Sequence, residues 1–204
     1  MIAISEIKKG ISSIAKEMTE NRDYLVELDQ RNGDGDLGIS MSEGFNALVE
    51  VLNKTEETDL GKVFRDLSKT FNESAPSSLG TILSFGLMGI AKELKGKNEV
   101  SRQEFSVALE KGLDNILDKT GSKVGEKTII DSLSPGIESL LSSGSEEDKV
   151  AFQNAYEASK AGAEKTKEMM AVHGRAAYYG EKSLGLVDGG AVVGTLIFKG
   201  MATE

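Results

Sequence analysis

Apolar residues recur every three or four positions along nearly the whole chain, the spacing that lines one side of an α-helix. Ile4, Ile7, Ile11, Ile14 and Met18 form a first stripe, and Tyr24, Leu25 and Leu28 a short second one, with Asn21 placed to cap it. Further stripes run through Met41, Phe45, Leu48, Val49 and Leu52, and through Leu60, Val63, Phe64, Leu67 and Phe71. The stretch from Leu79 to Ile90 is apolar nearly all round, which predicts a buried central helix. Ser101 with Glu104 has the form of a capping box and opens a helix bearing Phe105, Leu109, Leu113 and Ile116. Thr128 to Leu141 is amphipathic through Ile130, Leu133, Ile137 and Leu140. Ser145 and Asp148 then open a long polar helix to about Met170, and Gly189 to Met201 gives a last apolar helix. Only Pro76 and Pro135 interrupt these patterns. Alternating runs with hairpin turns are missing. Val192-Val193 and Leu196-Ile197 carry strand propensity, a minority reading beside the helix. The expectation is an all-α chain, one domain over residues 1–204, without repeats or a low-complexity linker.

Charge and composition narrow the function. A net charge of −9 argues against a nucleic-acid backbone or an anionic membrane surface as partner. With no cysteine there is no disulfide, thiolate zinc site or cysteine nucleophile, which fits a cytoplasmic protein. No apolar run reaches the ~20 residues of a membrane span, and the first residues lack the basic-then-apolar pattern of a signal peptide.

The chemistry concentrates in Leu28-Asp29-Gln30-Arg31-Asn32-Gly33-Asp34-Gly35-Asp36-Leu37-Gly38. Three carboxylates, Asp29, Asp34 and Asp36, share this run, and the glycines flanking Asp34 let the chain turn sharply. Like charges gathered this closely repel unless a cation sits among them. An all-carboxylate set suits a hard cation such as Mg²⁺ or Ca²⁺. Asn32, Asp34 and Asp36 with Glu43 at the twelfth position also have the outline of a calcium-binding EF-hand loop. Against that reading, Leu37 stands where the sharp turn wants glycine, and the motif is solitary. Solvated surface acids are the bland alternative.

Glycines also cluster at Ser77-Ser78-Leu79-Gly80-Thr81, from Gly121 to Thr128, and from Gly174 through Gly185 to Asp188-Gly189-Gly190. Such loops at helix N-termini offer free backbone N–H groups and a positive dipole end, which together attract anions. If they converge, they could hold a phosphorylated ligand beside a carboxylate-bound metal. Taken singly, each is equally an ordinary helix–helix turn.

Three motifs occur in order: Leu-Asp-x₃-Gly-Asp-Gly-Asp-x-Gly from Leu28, Gly-Glu-Lys-Thr-Ile-Ile-Asp-Ser-Leu from Gly125, and Gly-Arg-Ala-Ala-Tyr-Tyr-Gly-Glu-Lys-Ser-Leu-Gly from Gly174. In this order and over residues 28–190 the chain resembles the nucleotide-binding subunit L of dihydroxyacetone kinases. The resemblance implies a barrel or bundle of about eight antiparallel helices with ADP or ATP in the loops at one end. It implies two Mg²⁺ ions on Asp29, Asp34 and Asp36, with no catalytic residue beyond these metal ligands. Nucleotide contacts would fall on Leu37, Gly38, Ile39, Ser40, Ser77, Ser78, Gly121, Thr128, Ile129, Arg175, Asp188 and Gly189. The Ser40 hydroxyl and the Arg175 guanidinium suit phosphate, and Leu79 and Ile129 suit an adenine face. For Arg175 the plain alternative is a surface salt bridge.

The resemblance also implies phosphoryl transfer to a ketose held on a separate subunit K. In one branch, ADP stays bound and is rephosphorylated by subunit M, a phosphohistidine protein of the phosphoenolpyruvate phosphotransferase system. Three positions depart from the family pattern. Leu37 replaces the usual His or Thr, Leu79 a glycine, and Gly189 a proline. The first removes a polar group expected near the phosphates, and together they suggest a different ketose. Alternatives are an ATP-exchanging subunit for another ketose and a non-catalytic nucleotide or metal sensor. His173, the one histidine, has no role in the family and reads as surface or packing. Tyr178 and Tyr179 read as core or as packing near the nucleotide, with core the favoured reading.

Overall fold

A computed structural model describes residues 1–31 and 33–203. Among these residues nine α-helices form: α1 (Ile4–Glu20), α2 (Arg22–Gln30), α3 (Leu37–Lys54), α4 (Leu60–Ser74), α5 (Ser78–Glu93), α6 (Arg102–Thr120), α7 (Ile130–Ser142), α8 (Asp148–Lys165) and α9 (Gly189–Ala202). The apolar stripes set which face of each turns inward. Ile7, Ile11, Ile14 and Met18 of α1 are buried, as are Leu60, Val63, Phe64, Leu67 and Phe71 of α4. The capping box at Ser101 forms as expected: the Ser101 hydroxyl accepts from Glu104 N at 3.2 Å, and the Glu104 carboxylate accepts from Ser101 N at 2.9 Å.

The architecture is all-α, as the periodicity predicts, and the helices pack as a bundle rather than a closed barrel. Each of α3 to α9 packs on its predecessor, α9 also packs on α7, and α1 lies against both α3 and α9. Short connections make the packed neighbours from α3 to α8 antiparallel. The start of α9 lies against Leu37 and Ile129, so the N-termini of α3, α5, α7 and α9 face one end of the bundle. Each of the four glycine clusters immediately precedes or opens one of these N-termini. The interior is one continuous apolar cluster that draws on every helix except α2 for several residues. Within it the Phe45 and Phe71 rings meet edge to face at 4.9 Å.

Three local expectations change, and the helix expected from Gly189 forms. Asn21 stands between α1 and α2, but its amide donates to Glu17 O at 2.8 Å and so closes α1 instead of capping α2. The α5 helix is not central: it packs between α4 and α6, with Leu79, Ile82, Phe85, Leu87 and Met88 only half-buried. Its buried strip runs through Gly80, Gly86 and Gly89, small residues that let neighbouring helices approach closely. The polar helix α8 ends at Lys165, followed by a 3-10 turn over Thr166–Glu168. Val192-Val193 and Leu196-Ile197 lie in α9. The strands that do form, β1 (Ile2–Ala3) and β2 (Glu99–Val100), are a two-residue antiparallel ladder.

Candidate functional site

The α2 helix ends at Gln30 and α3 begins at Leu37, so the intervening loop must reverse the chain in a few residues. Gly33 and Gly35 permit this. Gly33 N donates to Asp29 O at 2.5 Å, and a Cβ on Gly33 would collide with the Asp29 carboxylate. Gly35, at φ +80°, donates its N–H to Asp29 Oδ2 at 2.8 Å. The turn aims three side chains at one spot: carboxylate oxygens of Asp29, Asp34 and Asp36 lie within 4.8 Å of one another. Burial, and then the charges of Asp34 and Asp29, push the Asp36 carboxyl above its ordinary range, while Arg175 acts the other way. A divalent cation relieves this repulsion, and small side-chain shifts would bring such oxygens to the spacing of a hard octahedral ion. The donor set therefore fits Mg²⁺.

The EF-hand outline is not formed. The helix begins at Leu37, the sixth position of that motif, so Glu43 is the seventh residue of α3. Among the described residues it is not part of the carboxylate cluster. Asn32, the first position of that motif, lies outside the described residues.

Arg175 comes to the same place from the far end of the sequence. The α8–α9 connection carries a 3-10 stretch over Arg175–Ser183, and the Arg175 Nη2 atom stands 2.7 Å from Asp34 Oδ2. Arg175 is thus in a surface salt bridge, but one made with a carboxylate of the candidate metal set. The pair is exposed and so contributes little stability. The guanidinium is correspondingly free to exchange Asp34 for phosphate oxygens. Gly33, Arg175, Tyr178 and Tyr179 line an open groove here. A second hollow, about 310 Å³, lies among core side chains such as Ile11, Phe64 and Phe105, and none of the three aspartates lines it. The charged chemistry belongs to the open groove.

The other expected contacts divide. At the start of α3, the first-turn N–H groups of Leu37, Gly38 and Ile39 have no partner within the helix. Gly38 packs on the α2 backbone at Arg22, and Ile39 faces outward. Leu37 turns its side chain into the core and does not stand among polar groups. The Ser40 hydroxyl donates to Leu37 O at 3.2 Å and is not directed at the groove. Ser77 caps α5, its hydroxyl accepting from Gly80 N, and Ser78 is exposed beside it. Ala75, just before, packs on Gly44 of α3. Gly121 ends α6 in a left-handed conformation. Thr128 is half-buried, whereas Ile129 is core, 1% exposed, and offers no open apolar face. Asp188 caps α9 by accepting from Ala191 N at 2.8 Å, and burial pushes its carboxyl up to about 6. Gly189 abuts Leu37 and Gly190 abuts Ile129, so the start of α9 touches the starts of both α3 and α7. Contacts thus join three of the four glycine-rich connections.

Several residues of the quoted motifs take places here that the motifs themselves do not announce. Tyr178 and Tyr179 are not core: Tyr178 is 92% exposed beside Arg175. A Tyr pair between glycines, with no helical stripe around it, is the signal that could have placed it outside. Asp131 is buried and accepts from Gly125 N at 2.5 Å and Thr128 N at 2.7 Å, folding the turn before α7. His173 lies at 2.5 Å from Glu126 and ties the Arg175 segment to that same turn, so its role is packing between loops, as expected.

Comparison with known proteins agrees with this geometry. Residues 32–203 match the family described as the DAK2 domain. Over 193 residues the chain is 30% identical to a Listeria innocua protein named PEP-dependent dihydroxyacetone kinase 1, ADP-binding subunit DhaL, covering 95% of this chain and 92% of that one. It is 29% identical over 171 residues to the corresponding Escherichia coli DhaL subunit, covering 83% and 81%. The crystal structure of the C. freundii dihydroxyacetone kinase in complex with AMP-PNP and Mg²⁺ superposes with a TM-score of 0.77 at 23% identity. That match covers 96% of this chain and 33% of the kinase, a likeness of fold. With the match extending over nearly its whole length, the chain belongs to the DAK2 domain family.

Proposed function

We propose that this chain is the ADP-binding subunit of a dihydroxyacetone kinase of the phosphoenolpyruvate-dependent type. One observation carries the reading: three carboxylates and a guanidinium from opposite ends of the sequence meet where four helix N-termini gather. Carboxylates seat a divalent cation, the guanidinium and helix starts attract phosphate, and the combination fits a metal–nucleotide. The names of the Listeria and E. coli relatives agree, as does the nucleotide in the C. freundii kinase.

On this reading Asp29, Asp34 and Asp36 hold two Mg²⁺ ions, which when bound neutralise the phosphates and fix their geometry. The N–H groups of Leu37, Gly38 and Ile39 and the guanidinium of Arg175 orient the phosphates. Thr128, Ser77, Ser78, Gly121 and the Asp188-Gly189 turn border the rest of the nucleotide. Residues 1–204 act as one domain around one core. Among the described residues no helix is long and apolar enough to cross a membrane, and we place the protein in the cytoplasm.

The ketose is carried by a separate subunit K, a reading supported by the names of the relatives, which call them ADP-binding subunits of a kinase. Subunit M supplies phosphate to the bound ADP. A docking role for the groove end is supported by its exposed apolar side chains, among them Tyr24, Ile39, Val124, Val172 and Tyr178. Mass spectrometry of the purified protein should find ADP and magnesium. Adding subunits K and M, phosphoenolpyruvate and dihydroxyacetone should then yield sugar phosphate. Retention of ADP without transfer under any phosphate source would instead identify a nucleotide sensor.

A further inference from the structure

Lys127 is the one non-glycine residue with positive φ among those described, at +62°, and it is only 3% exposed. A lysine in both conditions is unusual. Its ammonium meets no carboxylate at hydrogen-bond distance. It points instead into four backbone carbonyls: Thr166 O at 2.7 Å, Met169 O at 3.2 Å, Ser183 O at 2.7 Å and Leu186 O at 2.6 Å. An ammonium has three protons, so four carbonyls exceed its donors. The arrangement is that of a cation ringed by carbonyl dipoles, the ligand set with which proteins bind dehydrated K⁺.

All four carbonyls belong to the α8–α9 connection, which has little apolar core of its own. Of residues 166–188 only Thr166, Ala171 and Ser183 are buried. The remaining ties within it are polar: Ala171 N to Ser183 Oγ at 3.1 Å, Gly185 N to Lys167 O at 2.8 Å, and Asp188 N to Thr166 Oγ1 at 2.9 Å. The ammonium therefore stands where a hydrophobic centre would be, and the connection wraps around it. Arg175 projects from this wrapped segment to Asp34. On the other side, Lys127 adjoins Thr128 at the turn before α7.

We propose that Lys127 is a tethered monovalent cation, occupying a carbonyl cage that would otherwise take K⁺ or NH₄⁺, and that it acts as a positioning residue for Arg175. The second half of this proposal rests on the metal–nucleotide reading of the Asp29–Asp34–Asp36–Arg175 cluster. The cage itself does not.

The test uses the full-length chain and two variants. Lys127→Gly suits the positive φ and empties the cage. Lys127→Met keeps a stem of similar length without charge. In choline chloride, amide hydrogen exchange across residues 166–186 should quicken roughly tenfold or more in Lys127→Gly, while the core helices stay protected. Potassium or ammonium chloride at the same ionic strength should restore protection in Lys127→Gly, but not in Lys127→Met, whose side chain fills the cage. ADP–Mg²⁺ affinity should follow the same pattern of loss and cation-specific rescue. Combining Lys127→Gly with Arg175→Ala should cost no more affinity than Arg175→Ala alone.

A Lys127→Gly protein that behaves alike in choline and potassium, or that unfolds in every salt, overturns the cage. Cation-specific rescue of protection, with additive losses of affinity in the double variant, overturns the positioning role. Rescue of protection in a chain whose wild type binds no nucleotide leaves the cage standing and sinks the site reading instead.

Discussion

Leu37 fills the space that Gly189 leaves open. A Cβ built on Gly189 would lie 2.7 Å from Leu37 Cδ2, and Leu37 is otherwise enclosed by core residues. Both positions depart from the family pattern, which has His or Thr at the first and Pro at the second. The two departures are thus one packing exchange: a larger side chain at the start of α3 against a smaller one at the start of α9. The reading of Leu37 as a lost polar group beside the phosphates gives way to this one, because its side chain points into the core.

The exchange predicts non-additivity. Gly189 is the first residue of α9, a position that proline otherwise favours. Gly189→Pro alone should nevertheless destabilise, by about 1–3 kcal/mol from overpacking against Leu37. Leu37→Thr alone should also destabilise, through the cavity and the buried hydroxyl. The double variant should melt above the sum of the two losses, with a coupling of about 1 kcal/mol or more in thermal unfolding. Strict additivity would show that the two sites do not share space.

Asp34 and Asp36 are both exposed, and Asp34 is the partner of Arg175. Asp34→Asn should leave the melting temperature almost unchanged, since an exposed pair contributes less than about 1 kcal/mol. ADP–Mg²⁺ affinity, by contrast, should fall by at least ~30-fold, or about 2 kcal/mol. Calorimetric titration measures the affinity, and thermal unfolding measures the melting temperature. Undiminished affinity in this variant would remove the aspartates from the site.

How far the sequence could be read follows from which interactions are local. Helix periodicity is a property of neighbours, so α1, α3, α4 and α6 stand where their stripes put them, and the Ser101–Glu104 box forms within a single turn. The gathering of the three carboxylates was legible for the same reason: Asp29, Asp34 and Asp36 are close in sequence, and the glycines between them announce the turn. Arg175 entered through resemblance, because no local pattern says that residue 175 meets residue 34. For Tyr178 aromaticity favoured core over a place near the nucleotide, although the helical stripe that would support burial is missing around it. The carbonyls around Lys127 are backbone atoms about 40–60 positions away, and a sequence carries no mark of where a carbonyl points.

Acidity should compete with the metal. The Asp36 carboxyl is pushed above its ordinary range by burial and by Asp34 and Asp29. As pH falls it takes a proton sooner than an isolated aspartate would, and a protonated carboxyl is a poor ligand. Magnesium affinity should therefore weaken on mild acidification, before the fold is affected. Asp36→Asn should have a lower affinity that varies less with pH over the same range. Isothermal titration with Mg²⁺ across that range checks this, and parallel pH profiles for the two proteins would contradict it.

Asp188 gives the opposite kind of pH effect, on stability. Its carboxyl is pushed up to about 6 from the ordinary 3.8, because burial penalises the charged form more than the Ala191 N–H and the Lys127 ammonium favour it. A group raised in this way gives its full contribution to stability below its unfolded pKa and loses it as pH rises through the folded value. The loss attributable to Asp188 therefore falls between about pH 4 and pH 6 and persists above. Asn cannot ionise yet can still accept from Ala191 N as a helix cap. Asp188→Asn should accordingly stabilise the protein relative to wild type at pH 8, with a smaller or reversed difference at pH 4.5. Thermal unfolding of both proteins at the two pH values is the measurement, and an equal difference at both would mean that Asp188 is not held in its neutral form by the fold.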